Sequence, residues 1–185
     1  MMSLLKLDRG PAFFLAGLFF CGSLWAADAP RKSAGPKVGG VAPQFSLNDR
    51  TGKSFSLEQF RGNLVLLNFW ATWCPPCVKE LPSMEYLNQH FKAKNFTMMA
   101  VSVDESWAVI DEFFSNDRFF SRRSPSFLVL RDPEKRVAEG LYGCTGWPET
   151  YIISPTGKLL EKFEGEVNWT DKKIIQKLEE WLKIK

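Results

Sequence analysis

The sequence predicts an α/β protein of one domain, with a central mixed β-sheet flanked by helices. Three observations carry that reading. Two continuous apolar runs, LVLLNFW at 64–70 and FTMMAVSVD at 96–104, have strand length and little polar alternation, which suits strands buried on both faces. Between them Leu81, Met84, Leu87 and Phe91 recur at helical spacing. Later, ETYIIS and KLLEKFEG flank a Pro155-Thr156-Gly157 turn, a strand–turn–strand pattern. A strand–helix–strand order requires a crossover and so a parallel pair, whereas a tight turn makes the later pair antiparallel. A chain of 185 residues, 45% of them hydrophobic, can bury one full core.

Residues 1–26 read as an export signal or an uncleaved anchor. Lys6 and Arg9 form a short basic region, PAFFLAGLFFCGSLWAA is the apolar segment, and small residues follow it. The apolar run is shorter than the roughly 20 residues that span a bilayer comfortably. Cys21 follows the bulky Phe20, a poor fit for a lipid-attachment site. Residues 27–40, ADAPRKSAGPKVGG, are expected to form a flexible linker, which leaves 41–185 as the folded domain.

Within that domain FSLNDRTGKSFSL reads as a hairpin at the edge of the sheet. After strand 64–70, a helix is expected from Pro75 to about Lys94. Following the second buried strand, Ser106 is placed to cap a short helix carrying Val109, Ile110, Phe113 and Phe114. FLVL at 127–130 is strand-like, and an Asp132-Pro133 turn leads into a short helix to about Gly140. Thr170 is expected to cap the last helix, with Asp171 in its first turn and Ile174, Leu178, Trp181 and Leu182 buried.

The net charge of +3, without basic clusters beyond Arg122-Arg123, leaves no electrostatic footprint for nucleic acid. The cysteines are more informative. Cys74 and Cys77 sit between a buried strand and a helix, in NFWATWCPPCVKELP. Cys74 would then face the positive end of the helix dipole, where a thiolate is favoured and becomes the attacking species in disulfide exchange. Cys77, one turn in and more buried, can displace whatever Cys74 captures. Pro75 and Pro76 are tolerated in a first turn, whose N–H groups lack helical partners, and they remove two donors that would otherwise steady the anion. A moderately activated thiol and a reducing couple follow. Zinc wants four ligands, and the chain offers one histidine, His90, and no second CxxC, so no metal is expected. A structural disulfide this short closes almost no loop.

FWATWCPPC resembles the active-site signature of thioredoxin-like proteins, and LVLLNFWATWCPPCVKELP is similar to the exported TlpA/ResA-type thiol:disulfide oxidoreductases. APQFSL at 42–47 and GWPETYIISPTGKL at 146–159 match that family's opening strand and cis-proline strand, so the resemblance covers about 38–185. It implies a thioredoxin-like fold with an N-terminal β-hairpin extension and an inserted helix. It also implies catalysis by Cys74 and Cys77, a cis Pro148 beside them, and backbone contacts from Trp147 to an extended substrate strand. Trp73, Pro75, Pro76, Trp147 and Pro148 form the expected substrate-binding set.

Asn68 stands where cytosolic thioredoxins have a buried aspartate that moves the second proton. An amide cannot do that. Glu80 lies on the same helical face as Cys77, and exported reductases of this family often carry an acid there, so Glu80 is the expected third catalytic residue. Glu149 follows Pro148 as in relatives tied to cytochrome c maturation, and Cys144 departs from the family pattern as either an inert buried thiol or a secondary redox partner. The implied partners are protein thiols and disulfides, with a membrane-bound electron donor and no cofactor, for a monomer outside the cytoplasm. Two other functions compete. A peroxiredoxin-like peroxidase would use Thr72 near its cysteine, and a thiolate copper-binding protein would need His90 as a distal ligand.

Overall fold

The computed structural model describes residues 33–120 and 123–184; the expected signal or anchor, 1–26, lies outside the described residues. Seven strands among them form one open sheet in the order β2-β1-β5-β4-β3-β6-β7. They are β1 (Ser46–Asn48), β2 (Ser54–Ser56), β3 (Leu64–Trp70), β4 (Phe96–Ser102), β5 (Leu128–Arg131), β6 (Glu149–Ile153) and β7 (Leu159–Glu164). The helices are α1 (Pro75–His90), α2 (Trp107–Asn116) and α3 (Lys172–Trp181).

The long apolar run becomes the middle of the sheet. All seven residues of β3 are buried, because strands flank it on both edges and side chains from other elements cover both faces. It pairs in parallel with β4 from Leu64↔Phe96 to Trp70↔Ser102, as a helical crossover demands, and antiparallel with β6. Parallel β5 continues the sheet, and antiparallel β7 closes the other side. The β1–β2 hairpin sits at the far edge and meets β5 through the single pair Asn48↔Arg131. Leu81, Met84, Leu87 and Phe91 are all buried, so α1 lays the anticipated stripe on the sheet.

Boundaries differ where local hydrogen bonding overrides periodicity. Helix α1 stops at His90 because Phe91 leaves helical geometry and its carbonyl accepts from Lys94 N–H in a turn. Asp171, not Thr170, caps α3: its carboxylate accepts from Lys173 N–H, while Thr170 bonds Asn168. Of the apolar residues assigned to α3, Leu178 is buried, and Ile174, Trp181 and Leu182 are half-covered. The short helix before Gly140 is a wide π-type turn, Arg136–Leu141, with Gly140 N–H donating to Lys135 O and Tyr142 N–H to Val137 O. Buried Asp132 organises its start by accepting from the N–H groups of Val137 and Ala138.

The described part of the expected linker, 33–40, is fastened to the domain. Gly39 N–H donates to Leu159 O, Leu159 N–H donates to Gly40 O, and Ser33 Oγ donates to Leu141 O. Gly35 passes so close to Tyr142 O that a Cβ there would lie 2.4 Å from it, which explains a glycine at this contact. Among the described residues no helix is long and apolar enough to cross a membrane.

Replacing Asp171 by alanine is expected to destabilise the protein by about 1 kcal/mol through loss of the cap, and Thr170→Ala by clearly less. Urea denaturation of the two variants checks the assignment.

Candidate functional site

The end of β3 hands the chain to α1 in four residues, 71–74, and Cys74 is the helix N-cap. Its backbone is extended and its sulfur accepts from Cys77 N–H at 3.3 Å. Pro75 and Pro76 have no N–H, so the first helical donor able to reach Cys74 Sγ is that of Cys77. The two sulfurs are bonded to each other, 2.09 Å apart. Cys77 is wholly buried and Cys74 nearly so, in the order anticipated for resolving and attacking thiols.

Glu80 follows one turn along α1. Its side chain is turned into the protein and only 2% exposed. Asn68 Nδ2 donates to Oε1 at 2.7 Å, and Val167 N–H donates to Oε2 at 3.0 Å. The Asn68 amide also donates to Thr150 Oγ1, which ties β3, β6 and α1 together beside the cysteines. Burial raises the Glu80 carboxyl to about 7, against the pull of the donors from Val167 and Asn68. Among the described residues no cation pairs with this acid. The strand amide that cannot move a proton therefore positions an acid on the neighbouring helix.

The Trp147–Pro148 peptide is cis, and Pro148 is buried. Trp147 is half-buried against the core, and neither its N–H nor its C=O is taken by another backbone group among the described residues. Trp73 stands out into solvent at 60% exposed; Pro75 is exposed and Pro76 half-covered.

Behind the cis-proline loop lies a cluster that sequence reasoning did not assemble. Glu149 is buried and accepts from Thr145 N–H and Tyr151 OH while pairing with Lys162 Nζ at 2.9 Å. Burial alone would raise its carboxyl, but those bonds and the Lys162 charge hold it below the usual range. Glu149 therefore braces the loop from inside instead of facing outward. Cys144 is buried 3.6 Å from Tyr151 OH, and burial pushes its thiol far up, which disfavours the thiolate. A charge on β7 two strands from the cysteines left no local signal from which this cluster could be read.

His90 stands at the other end of α1, roughly 20 Å along the axis at 1.5 Å per residue, paired with Glu179. It is not a distal ligand for the thiols. Thr72 donates its hydroxyl to Asp104 Oδ1 at 2.9 Å, so that group is already engaged. No cluster of metal-binding side chains occurs among the described residues. A cleft of about 560 Å³ lies by the β1–β2 turn and includes neither cysteine.

Comparison with known proteins gives consistent relatives. The profile of the AhpC/TSA family matches residues 38–162. The thiol-disulfide oxidoreductase ResA of Bacillus subtilis (strain 168) is 35% identical over 127 residues, 69% of this chain and 67% of that protein. The thioredoxin-like protein YneN of the same organism is 34% identical over 155 residues, 80% of this chain and 83% of the relative. Among solved structures, the thioredoxin domain of a thiol-disulfide oxidoreductase from Bacteroides vulgatus superposes with a TM-score of 0.66 at 26% identity, covering 80% of this chain and 99% of that one. A thiol:disulfide interchange protein from Bacteroides sp. gives 0.64 at 28% identity, covering 79% and 90%.

The raised Glu80 carboxyl has a measurable consequence. Its folded value lies above its unfolded one, so its contribution to stability is fully present below about pH 4.5 and is lost as pH rises through about 7. At about 1.4 kcal/mol per unit, the loss is on the order of 3 kcal/mol. Urea denaturation of the oxidised protein should show that decline, and Glu80→Gln should remove most of it. Buried Asp132 is also shifted upward by desolvation and contributes a decline in the same direction.

Proposed function

Because the chain belongs to the AhpC/TSA family, has a thioredoxin-like fold and is a thiol-disulfide oxidoreductase, we propose that it reduces protein disulfides outside the cytoplasm through a Cys74/Cys77 cycle. The observation that carries this reading is the bonded cysteine pair at the start of α1, with a buried acid of raised pKa one turn further on. In the reduced protein, the Cys77 N–H and the helix dipole favour the Cys74 thiolate. That thiolate attacks one sulfur of a substrate disulfide; a Cys74–substrate bond forms, and the other substrate sulfur leaves as a thiolate and takes a proton. Glu80, in its carboxylate form, accepts the Cys77 proton. The Cys77 thiolate then attacks Cys74 Sγ, closes the internal disulfide and releases the second substrate thiolate. Two electrons pass from the protein pair to the substrate.

The exposed ring of Trp73, the paired prolines and the free backbone groups of Trp147 support a groove where an extended substrate segment lies beside Pro148. Apocytochrome c cysteines are the proposed substrates, since Glu149 follows Pro148 as in relatives of that kind. A membrane-bound donor resupplies electrons to a monomeric protein, exported or anchored through 1–26. The peroxidase reading loses support because the Thr72 hydroxyl is held by Asp104, and the copper reading because His90 lies at the far end of α1.

Dithiol-dependent reduction of insulin by the 27–185 protein tests the assignment. Cys74→Ser should abolish turnover, and unchanged turnover would rule the cycle out. Cys77→Ala should accumulate mixed disulfides through Cys74. Glu80→Gln should slow turnover by about 10²-fold, the usual weight of a positioned proton acceptor.

A further inference from the structure

The segment joining β3 to α1 is gripped by a carboxylate from a different strand. Thr72 N–H donates to Asp104 Oδ2 at 3.0 Å, and Thr72 Oγ1 donates to Asp104 Oδ1 at 2.9 Å. Asp104 stands just past β4 and is 2% exposed. Ser102 steadies it, donating from Oγ to Oδ2 at 2.7 Å and accepting from Asp104 N–H at 2.9 Å. Each carboxylate oxygen thus holds a different donor of one residue, and a two-point hold resists rotation as well as displacement. Two residues further on is Cys74.

The rest of the connection is light. Val103 N–H donates to Trp70 O at 3.0 Å, and Cys74 N–H reaches Ala71 O at 3.3 Å. Strands β3 and β4 are already paired over their full length, so the ladder does not need Asp104 to stay in register. Among the described residues, the loop that carries the attacking sulfur has little other hydrogen-bonded support.

We infer that Asp104 is a positioning residue for the dithiol–disulfide cycle: its carboxylate, clamped on both donors of Thr72, holds Cys74 at the helix start within reach of Cys77. The inference rests on the redox reading of that pair. While the disulfide is closed, the sulfurs hold each other. Once it opens, their mutual reach depends on how firmly the loop is held, because an intramolecular attack gains its advantage from restricted geometry. Bonds to a buried carboxylate are suited to the task, since breaking one strands a charge without a partner.

The test is equilibration of the protein with dithiothreitol, in which two electrons and two protons pass from the reagent to the Cys74–Cys77 disulfide and the reagent closes its own ring. Thr72→Val removes the hydroxyl donor and keeps the shape, and should shift the equilibrium toward the protein dithiol by about fivefold, the size expected for one lost hydrogen bond. Asp104→Ala should shift it by about tenfold or more, roughly 30 mV for a two-electron couple. Thr72→Ser keeps the hydroxyl and should stay within about twofold of the parent. An unshifted Thr72→Val equilibrium overturns the inference, whether or not Asp104→Ala folds. So does a lowered melting temperature with unchanged equilibria, which would make the clamp purely structural. Dithiothreitol needs no protein substrate, so a parent protein that fails on insulin would sink the proposed function while leaving this measurement intact.

Discussion

A central strand buried along its whole length constrains everything else in this protein. Seven consecutive residues of β3 lie inside, so the chain can turn only after Trp70, and the helix that covers the sheet must begin almost at once. That abrupt change of direction makes Cys74 an N-cap and aims the first available helical N–H at its sulfur. The two prolines sharpen the arrangement by leaving Cys77 as the donor. The reactivity proposed for Cys74 thus follows from how a strand ends, in an environment the backbone already provides.

Three buried carboxylates surround that point, and their different compensation sorts their roles. Among the described residues Glu80 is met by neutral donors alone, so burial wins and its proton is held up to about 7. Glu149 is equally buried, but Lys162 stands against it, and its carboxyl stays charged to lower pH than usual. Asp104 is tied to Thr72 and Ser102. One acid is thereby suited to exchanging a proton, a second to bracing the cis-proline loop, and a third to holding the loop before Cys74. Glu80 lies in the second turn of α1, Asp104 just past β4 and Glu149 at the start of β6.

Much of the architecture was legible because its signals are local. Uninterrupted apolar runs marked β3 and β4, helical spacing marked α1, and a Pro-Thr-Gly turn marked the last hairpin. Residues whose chemistry is decided by chain neighbours could be placed the same way, as with Cys74 and Cys77 across one turn. The misjudged details were those settled by competition between adjacent polar groups. Thr170 and Asp171 are both capable caps, and the sequence offers no reason for Thr170 to bond Asn168 instead. The start of the domain was also obscured, since a Gly- and Pro-rich composition describes a free tether and a strap pressed against Tyr142 equally well.

By itself the sequence determined the fold class, the order of elements and the place of the cysteine pair at the head of a helix, since each follows from residues a turn or a strand apart. Only the tertiary structure decided what surrounds that pair: that Asn68 serves Glu80, that Lys162 answers Glu149, and that Asp104 holds Thr72. These contacts join positions as many as 32 residues apart for Asp104 and Thr72. Which distant charge or donor meets which buried oxygen is fixed by strand order and register, and no pattern of neighbouring residues encodes it.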